Sequence, residues 1–583
     1  MTPTTIPELL RQAAAQYGGK LALRQPAGKD VHTWTWSQYL QAAEEIAAGL
    51  HALGLGKGDH IALCSETRAE FYLADQGILM NGSVAAALYP SYPPDELERT
   101  VGMADAKALF VEDPKTFAKL KAAPVAHFIL LTGQAEGALS LEELRQLGRD
   151  AGKRGAEVGP EDNAILYLTS GATGEPKMVM VTHGAIVANV HMGPAVVPLS
   201  VDDITIAFLP SAHIAQRVVV EILPILSGSA VSFAESLLKL QPEIKAVRPT
   251  FFLAPPRVWE RVYSSIRTEI LKKPAIVRKA FFGALGLGLE AAKYKRAGKK
   301  VPFHIRIPLH FAHRLIFSKI RHRFGGRLRI AASGAAPLGA DLAEFYEAIG
   351  MPLIEGYGLT EGGVTAFNPL DAALPGSIGK ALPGVEFKVG DEGELLIRSA
   401  TLSSGYYKDP AATAELLRDG WLHTGDVGTI DAEGYIWITG RKKELIVSSN
   451  GKKIFPSRVE TMFKFEPLIS QVVLAGDRLQ HLVALFTIHA AVAESIRGTA
   501  DAGIPLHQSP EVLAEMQKIV TRVNKQLAPF EQVKRFRILH REFTIEHGEV
   551  PATMKVRRKQ VLENFKSDVD ALYQLSASGR GGE

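Results

Sequence analysis

The sequence predicts an α/β protein: a large N-terminal domain of layered α/β subdomains with a small β-rich subdomain, then a small α+β C-terminal domain. Three observations predict it. At 583 residues the chain is too long for one hydrophobic core. Its first third alternates helical apolar spacing with short, continuously apolar runs. From Gly393 onward the apolar residues alternate one by one, as in half-buried antiparallel strands.

The elements follow in order. Ile6 to Tyr17 and Trp36 to Leu53 carry apolar residues at helical spacing. His60-Ile-Ala-Leu-Cys64 and Ala164-Ile-Leu-Tyr-Leu168 read as buried strands, and the second runs straight into a Gly-rich loop. Gly184 to Met192 reads as a helix. Gly393 to Arg398 and Gly434 to Gly440 alternate as strands of the β-rich subdomain. After Arg441 come a helix (Ser457 to Lys464), strands (Ser470 to Ala475 and His481 to Thr487) and a helix (Ser509 to Leu527). The division expected is therefore 1–441 and 442–583. The small, polar stretch Ser576 to Glu583 is expected to fray.

Composition bounds the function. Hydrophobic residues at 46% and charged residues at 22% fit a globular chain and exclude a largely disordered one. Cys64 is the only cysteine, so no intrachain disulfide can form. The first residues lack a basic n-region followed by an apolar run, so a cytoplasmic protein is expected. No stretch reaches the roughly 18 uncharged apolar residues of a spanning helix. A net charge of +4 does not by itself point to nucleic acid. Its distribution is uneven: between Leu271 and Arg327 Glu290 is the sole acid, against fifteen lysines and arginines. Aromatic and aliphatic residues interleave with them. Such a stretch suits an anionic lipid surface, and it equally suits a solvated helical insertion with one buried face.

The chemistry starts at Thr169-Ser-Gly-Ala-Thr-Gly-Glu-Pro-Lys177. Polyphosphate needs close backbone N–H groups, hydroxyl donors and a cation. Gly171 and Gly174 permit close approach, Thr169, Ser170 and Thr173 supply hydroxyls, and Lys177 supplies charge. The Gly-Lys-Ser/Thr ending of a Walker loop is missing. Taken alone, the segment is also compatible with a plain surface turn.

Four further segments follow in order. They are Ser333-Gly-Ala-Ala-Pro337, Glu355-Gly-Tyr-Gly-Leu-Thr-Glu361, Gly420-Trp-Leu-His-Thr-Gly-Asp426 with Gly440-Arg-Lys-Lys-Glu444, and Pro551-Ala-Thr-Met-Lys-Val-Arg-Arg558. With the Gly-rich loop, this ordered set resembles the adenylate-forming superfamily, from about residue 5 to residue 565. Leu209-Pro-Ser-Ala-His213 and Arg248-Pro-Thr-Phe-Phe-Leu-Ala-Pro-Pro-Arg257 resemble its long-chain fatty acyl-CoA synthetase branch.

The resemblance implies an acid–thiol ligase that uses ATP, Mg²⁺ and CoA. A fatty acid and ATP would give acyl-AMP and pyrophosphate, and CoA would then displace AMP. Delivery of the acyl group to a carrier protein is the alternative, and a binding protein that kept only the fold is a third reading. The resemblance implies that Ser333, Gly334, Ala335 and Ala336 wall the adenine. Tyr357 would stack on it from a turn between Gly356 and Gly358, in the segment that opens with Glu355. Thr360 and Glu361 would reach the phosphates, with Thr169 and Glu361 holding the metal, since Mg²⁺ prefers hard oxygens. Asp426, in a turn, and Arg441 would take the ribose. Lys555 would be the catalytic lysine of a mobile C-terminal domain that hinges at Lys443. Gly451 would let pantetheine pass, and His213 would lie at the acyl gate, though a structural histidine is as good a reading. Partners implied are the fatty acid, ATP and CoA, with peripheral contact at the membrane's inner face through 271–327 and a homodimer both compatible.

The chain departs from the family pattern at three places. Ala172 replaces a hydroxyl donor, and Met178 puts bulk after Lys177. Glu546 and Glu549 replace a more usual Asn/Asp-Gly turn before Pro551, where their charge would tune the approach of Lys555.

Overall fold

A computed structural model describes residues 2–152, 156–170, 176–236, 239–497, 503–550 and 556–577. The alternation in the first third becomes a mostly parallel sheet. Its eight strands run in the order Gly405–Tyr406, Pro176–Thr182, Asn163–Ser170, Val84–Leu88, His60–Cys64, Ala108–Val111, His127–Leu130 and Leu139–Ser140. His60–Cys64 is buried along nearly its whole length, as a central parallel strand covered on both faces must be. Helices Ile6–Tyr17 and Trp36–Ala52 form where the apolar spacing placed them. Each begins at a capping box, Thr5 with Glu8 and Thr35 with Gln38, which satisfies the first free N–H groups.

Three further sheets complete the large domain. One has four strands, ordered Ile204–Ala207, Ala230–Phe233, Leu21–Ala27 and Asp30–Thr35. Another has five, ordered Phe251–Ala254, Ile330–Ser333, Leu353–Leu359, Gly363–Phe367 and Lys380–Ala381. The β-rich subdomain is built on Glu386–Val389, Glu394–Arg398 and Trp421–Ile430, with Ile436–Arg441 paired to the last. After it, Ile469–Ala475, Leu482–Ile488 and Val533–Ile538 make a separate three-stranded sheet with its own buried core.

Two local expectations are corrected. Tyr357 lies within the strand Leu353–Leu359, and Asp426 within Trp421–Ile430; neither sits in a turn. Each strand carries a register shift at the glycine-bearing segment, which the sequence displays as turn composition. At the C-terminus the helix Lys566–Ala577 runs through Ser576 and Ala577, so fraying does not begin there; residues 578–583 lie outside the described residues.

The large domain contains a buried polar cluster. Helix Ala69–Met80 contributes Asp75 and Gln76, and the π-helical segment Gln216–Ile222 contributes Gln216, Arg217 and Glu221. Arg217 donates to Asp75, and both side chains are fully buried. Gln216 Nε2 donates to Tyr72 Oη at 2.9 Å, and the Arg217 guanidinium lies 5.7 Å from the centre of the Tyr167 ring. Burial raises the Glu221 carboxyl, and the neighbouring Arg217 opposes that rise.

Glu355 is a second buried acid that holds the fold. Its Oε1 accepts from the Leu338 N–H at 3.0 Å, and its backbone pairs in register with Ser333. Burial pushes its carboxyl up to about 8.

Two measurements check these roles. Arg217→Ala strands the Asp75 carboxylate in the core and is expected to cost about 3–5 kcal/mol in urea unfolding; adding Asp75→Leu should recover most of it. For Glu355 the folded pKa lies above the unfolded one. The folded state thus keeps a proton that the unfolded chain releases, and stability falls as pH rises from 4.5 towards about 8. Glu355→Gln should flatten that fall in thermal midpoints measured across the window.

Candidate functional site

The Gly-rich loop joins two antiparallel strands. Asn163–Ser170 enters it and Pro176–Thr182 leaves it, with Thr169 opposite Lys177 and Ser170 opposite Pro176. Gly171, Ala172, Thr173 and Gly174 lie outside the described residues, as does Lys555. Thr169 Oγ1 faces the Lys177 carbonyl at 3.4 Å. Met178, flagged as a departure, is 4% exposed and pairs with Leu168, so its bulk enters the core instead of crowding Lys177.

Sequence reasoning missed the neighbours of Lys177. Strand Gly405–Tyr406 pairs with Pro176–Thr182, Tyr406 opposite Val179. This puts the Lys177 ammonium 4.8 Å from the centre of the Tyr406 ring and 3.0 Å from Asp409 Oδ2. Asp409 also accepts from the Ala412 N–H at the head of helix Pro410–Leu416; that bond first and Lys177 second hold its carboxyl below the ordinary range. The Asp-Pro pair does carry a signal, but a signal for a helix cap. The Tyr406 hydroxyl donates to Glu361 Oε1 at 2.9 Å. One tyrosine therefore touches both the cation and the carboxylate expected to meet the phosphates.

Glu361 and Thr360 lie in the tight connection between Leu353–Leu359 and Gly363–Phe367. Asn189 fixes this hairpin by giving its amide to the Val364 carbonyl at 2.6 Å and accepting the Val364 N–H at 2.9 Å. The strands run close. A Cβ on Gly356 would meet the Phe367 ring at 2.3 Å, and one on Gly358 would meet the Gly363 carbonyl at 2.4 Å. Tyr357 between them donates to Asp426 Oδ2 at 2.6 Å. Arg441 Nε donates to Asp426 Oδ1 at 2.8 Å across the paired strands. Asp426 raises the Arg441 guanidinium in turn. A carboxylate has about four lone-pair sites, so Asp426 can still accept two hydroxyls.

Behind Tyr357, strand Ile330–Ser333 delivers Ser333, Gly334, Ala335 and Ala336. Ala335 holds φ at +69°, a left-handed conformation that a non-glycine residue rarely adopts. Ser333 Oγ is buried with no partner among the described residues. Glu355 bridges this loop to the Tyr357 strand through Leu338. Thr169 and Glu361 offer hard oxygens, which fit Mg²⁺ once substrate phosphates supply further ligands. Among the described residues no group of three His, Cys, Asp or Glu could hold a metal alone.

His213 stands ahead of the segment Gln216–Ile222. Its Nδ1 accepts from the Ala215 N–H at 3.2 Å, which leaves Nε2 to carry the proton of the neutral ring. Lys442 is tied to Glu392 at 3.0 Å and Glu394 at 3.2 Å, whereas Glu444 accepts from Ser457 of the following helix at 3.2 Å. Exposed Lys443 lies between these anchors. Gly451 has φ +73° and open space where a Cβ would stand.

The segment carrying Lys555 is held at both ends. Arg558 makes two bonds to buried Glu460, and the Arg557 N–H donates to the Glu549 carbonyl at 2.7 Å. Arg557 also lies beside Tyr92, just beyond strand Val84–Leu88, the parallel neighbour of Asn163–Ser170; burial raises that phenol and the Arg557 charge opposes the rise. Glu549 is buried against Arg541, with bonds of 2.6 and 2.7 Å. Its charge is met locally by Arg541, which ties the turn before Pro551 to the preceding segment.

The description "AMP-binding enzyme" matches residues 10–407, and "AMP-binding enzyme C-terminal domain" matches 443–577. The chain is 34% identical over 563 residues to the long-chain-fatty-acid–CoA ligase FadD15 of Mycobacterium tuberculosis, covering 93% of this chain and 92% of the relative. It is 31% identical over 595 residues to the peroxisomal long chain acyl-CoA synthetase 7 of Arabidopsis thaliana, covering 94% and 83%. Among solved structures, the adenylation domain of a carboxylate reductase from Mycobacterium chelonae superposes with a TM-score of 0.81 at 22% identity, covering 98% of this chain and 91% of that one. The anthranilate CoA ligase AuaEII in complex with anthranoyl-AMP gives 0.75 at 20%, covering 97% and 98%. With matched family descriptions on both sides of Lys443 and the five expected segments in order, the chain belongs to the AMP-binding enzyme family.

Proposed function

We propose that this enzyme is a long-chain fatty acid–CoA ligase. The observation that carries the adenylation step is the convergence of Tyr357, Asp426 and Arg441 beside the hairpin of Glu361 and the strands of Thr169 and Lys177. The choice of a long-chain acid and of CoA rests on the long-chain-fatty-acid–CoA ligase and long chain acyl-CoA synthetase relatives, matched over 92% and 83% of their length, which disfavours a carrier protein as acceptor.

The fatty carboxylate attacks the α-phosphorus of ATP. An oxygen–phosphorus bond forms, the bond to the β-phosphate oxygen breaks, and pyrophosphate leaves. The CoA sulfur then attacks the acyl carbon, and AMP leaves with the electron pair of the broken acyl–oxygen bond. Lys177 and the hydroxyls of Thr169, Ser170 and Thr173 bind phosphate, with backbone N–H groups at Gly171 and Gly174. Asp426 and Arg441 orient the ribose, and the wall from Ser333 to Ala336 with Tyr357 holds the adenine. Mg²⁺, when bound by Thr169 and Glu361, neutralises phosphate charge. Thr360 stands beside it. Lys555 stabilises charge that builds on the α-phosphate. His213 gates the acyl channel.

We also propose that residues 442–583 turn as a unit about Lys443, since anchored side chains flank that position on both sides. Gly451 then passes pantetheine. The same reading puts the substrate at a lipid surface, with 271–327 as the stretch that meets it.

Pyrophosphate release with a series of fatty acids, followed by CoA-dependent AMP formation, tests the reaction. Maximal rates with long acids are expected; acyl-AMP that accumulates despite CoA would favour the carrier-protein alternative. Lys555→Ala should slow the first half-reaction about 10²–10³-fold. Tyr406→Phe removes the hydroxyl that orients Glu361 and should raise KM for Mg·ATP about tenfold, with a much smaller change in kcat.

A further inference from the structure

The stretch 271–327 has a surface that packing leaves unexplained. Helix Ala275–Arg296 buries Phe281, Ala284, Gly288 and Ala291 against the body. Helix Phe303–Ala312 buries Ile305, Leu309 and Ala312. Each helix thus already satisfies one apolar face. Yet eight of the sixteen exposed large apolar side chains among the described residues lie between Leu271 and Leu315. Ile276 is 79% exposed, Phe303 68%, Leu315 63%, Phe311 57% and Ile307 51%.

The exposed set is ordered. Phe303, Ile307, Phe311 and Leu315 recur every four residues, the spacing of one helix face, opposite the buried row. Phe281 and Phe317 pack edge to face with centroids 6.3 Å apart, so the Phe282 end of the first helix lies alongside the Leu315 end of the second. The exposed apolar residues of the two helices therefore lie on adjoining elements, an arrangement of the kind that marks an interaction site in a globular protein.

Charge selects the partner. The stretch 271–327 carries fifteen lysines and arginines against Glu290 alone. Among the described residues, only Arg296 and Arg323 of those from 271 to 323 enter ion pairs, with Glu344, Glu347 and Glu269. Long basic side chains around an outward apolar row match an anionic bilayer: the row enters the acyl boundary while the stems let the charges stay at phosphate level. A symmetric dimer through this face would press two strongly basic surfaces together, which Coulomb repulsion opposes.

We infer that the helices Ala275–Arg296 and Phe303–Ala312 form an in-plane docking surface for anionic lipid membranes, with Ile276, Phe303, Ile307, Phe311 and Leu315 entering the bilayer interface. The inference rests on exposure and charge, and its test is read by vesicle binding, so it can fail without touching the proposed ligase activity.

The experiment is flotation of the full-length protein with vesicles of phosphatidylcholine alone and of phosphatidylcholine with phosphatidylglycerol. The wild type should float with the anionic vesicles, and added salt should weaken its binding. The triple variant Phe303→Ser, Ile307→Ser, Phe311→Ser and the double variant Arg278→Glu, Lys279→Glu should each lower the partition coefficient about tenfold or more. Both should keep the wild-type thermal midpoint and acyl-CoA synthesis in solution. Ile276→Glu gives a single variant at a side chain with little packing to lose. Failure of the wild type to float, or unchanged binding by properly folded variants, would overturn the proposal. So would a dimer in sedimentation velocity that the triple serine variant dissociates, because it would assign the face to a second copy of the chain.

Discussion

The Asp426 carboxylate is the point at which the site's separate elements meet. One oxygen takes the Tyr357 hydroxyl from the five-stranded sheet, and the other takes Arg441 from the last strand before the C-terminal domain. Strand pairing across the β-rich subdomain places Asp426 opposite Arg441. Close backbone approach at Gly356 and Gly358 brings the Tyr357 strand against its neighbour. Remove the carboxylate and the Tyr357 phenol and the Arg441 guanidinium lose a common partner, so the two sheets are linked through one group. Arg441 keeps half its side chain in solvent, which leaves it room to turn toward a substrate.

A second constraint comes from the edge of the eight-stranded sheet. Its core strands are parallel, but the phosphate-loop hairpin is antiparallel, and Gly405–Tyr406 adds a short strand beyond it. That addition supplies Tyr406 and Asp409 from more than two hundred residues away. They hold Lys177 and Glu361 in a polar network before any substrate arrives. In the proposed reaction, substrate phosphates would exchange with partners already in place, so that neither the cation nor the carboxylate is left uncompensated.

Much of the fold is legible in local pattern. The helix at Ile6–Tyr17 and the strand at His60–Cys64 fall where their apolar spacing puts them, because capping boxes and buried parallel strands leave marks in adjacent residues. Turn composition misled at Tyr357 and Asp426. Glycines there serve close strand contact and register shifts, and composition does not distinguish that from a turn. Glu549 was legible as a charge; its burial against Arg541, eight residues away, was not.

The order of five chemical segments, the apolar periodicities and the lopsided charge of 271–327 are properties of the chain alone, and they determined the family, the layered α/β class and the residues expected to meet ATP. The tertiary structure decided which groups touch: Tyr406 with Lys177 and Glu361, and Arg217 with Asp75. It also decided that Phe281, Ile305, Leu309 and Phe317 of the basic stretch pack inward while Ile276, Phe303, Ile307, Phe311 and Leu315 face solvent. The physical reason is range. Helix and strand preferences act over a few residues, whereas ion pairs, ring contacts and burial depend on distances in space that only the closed chain sets.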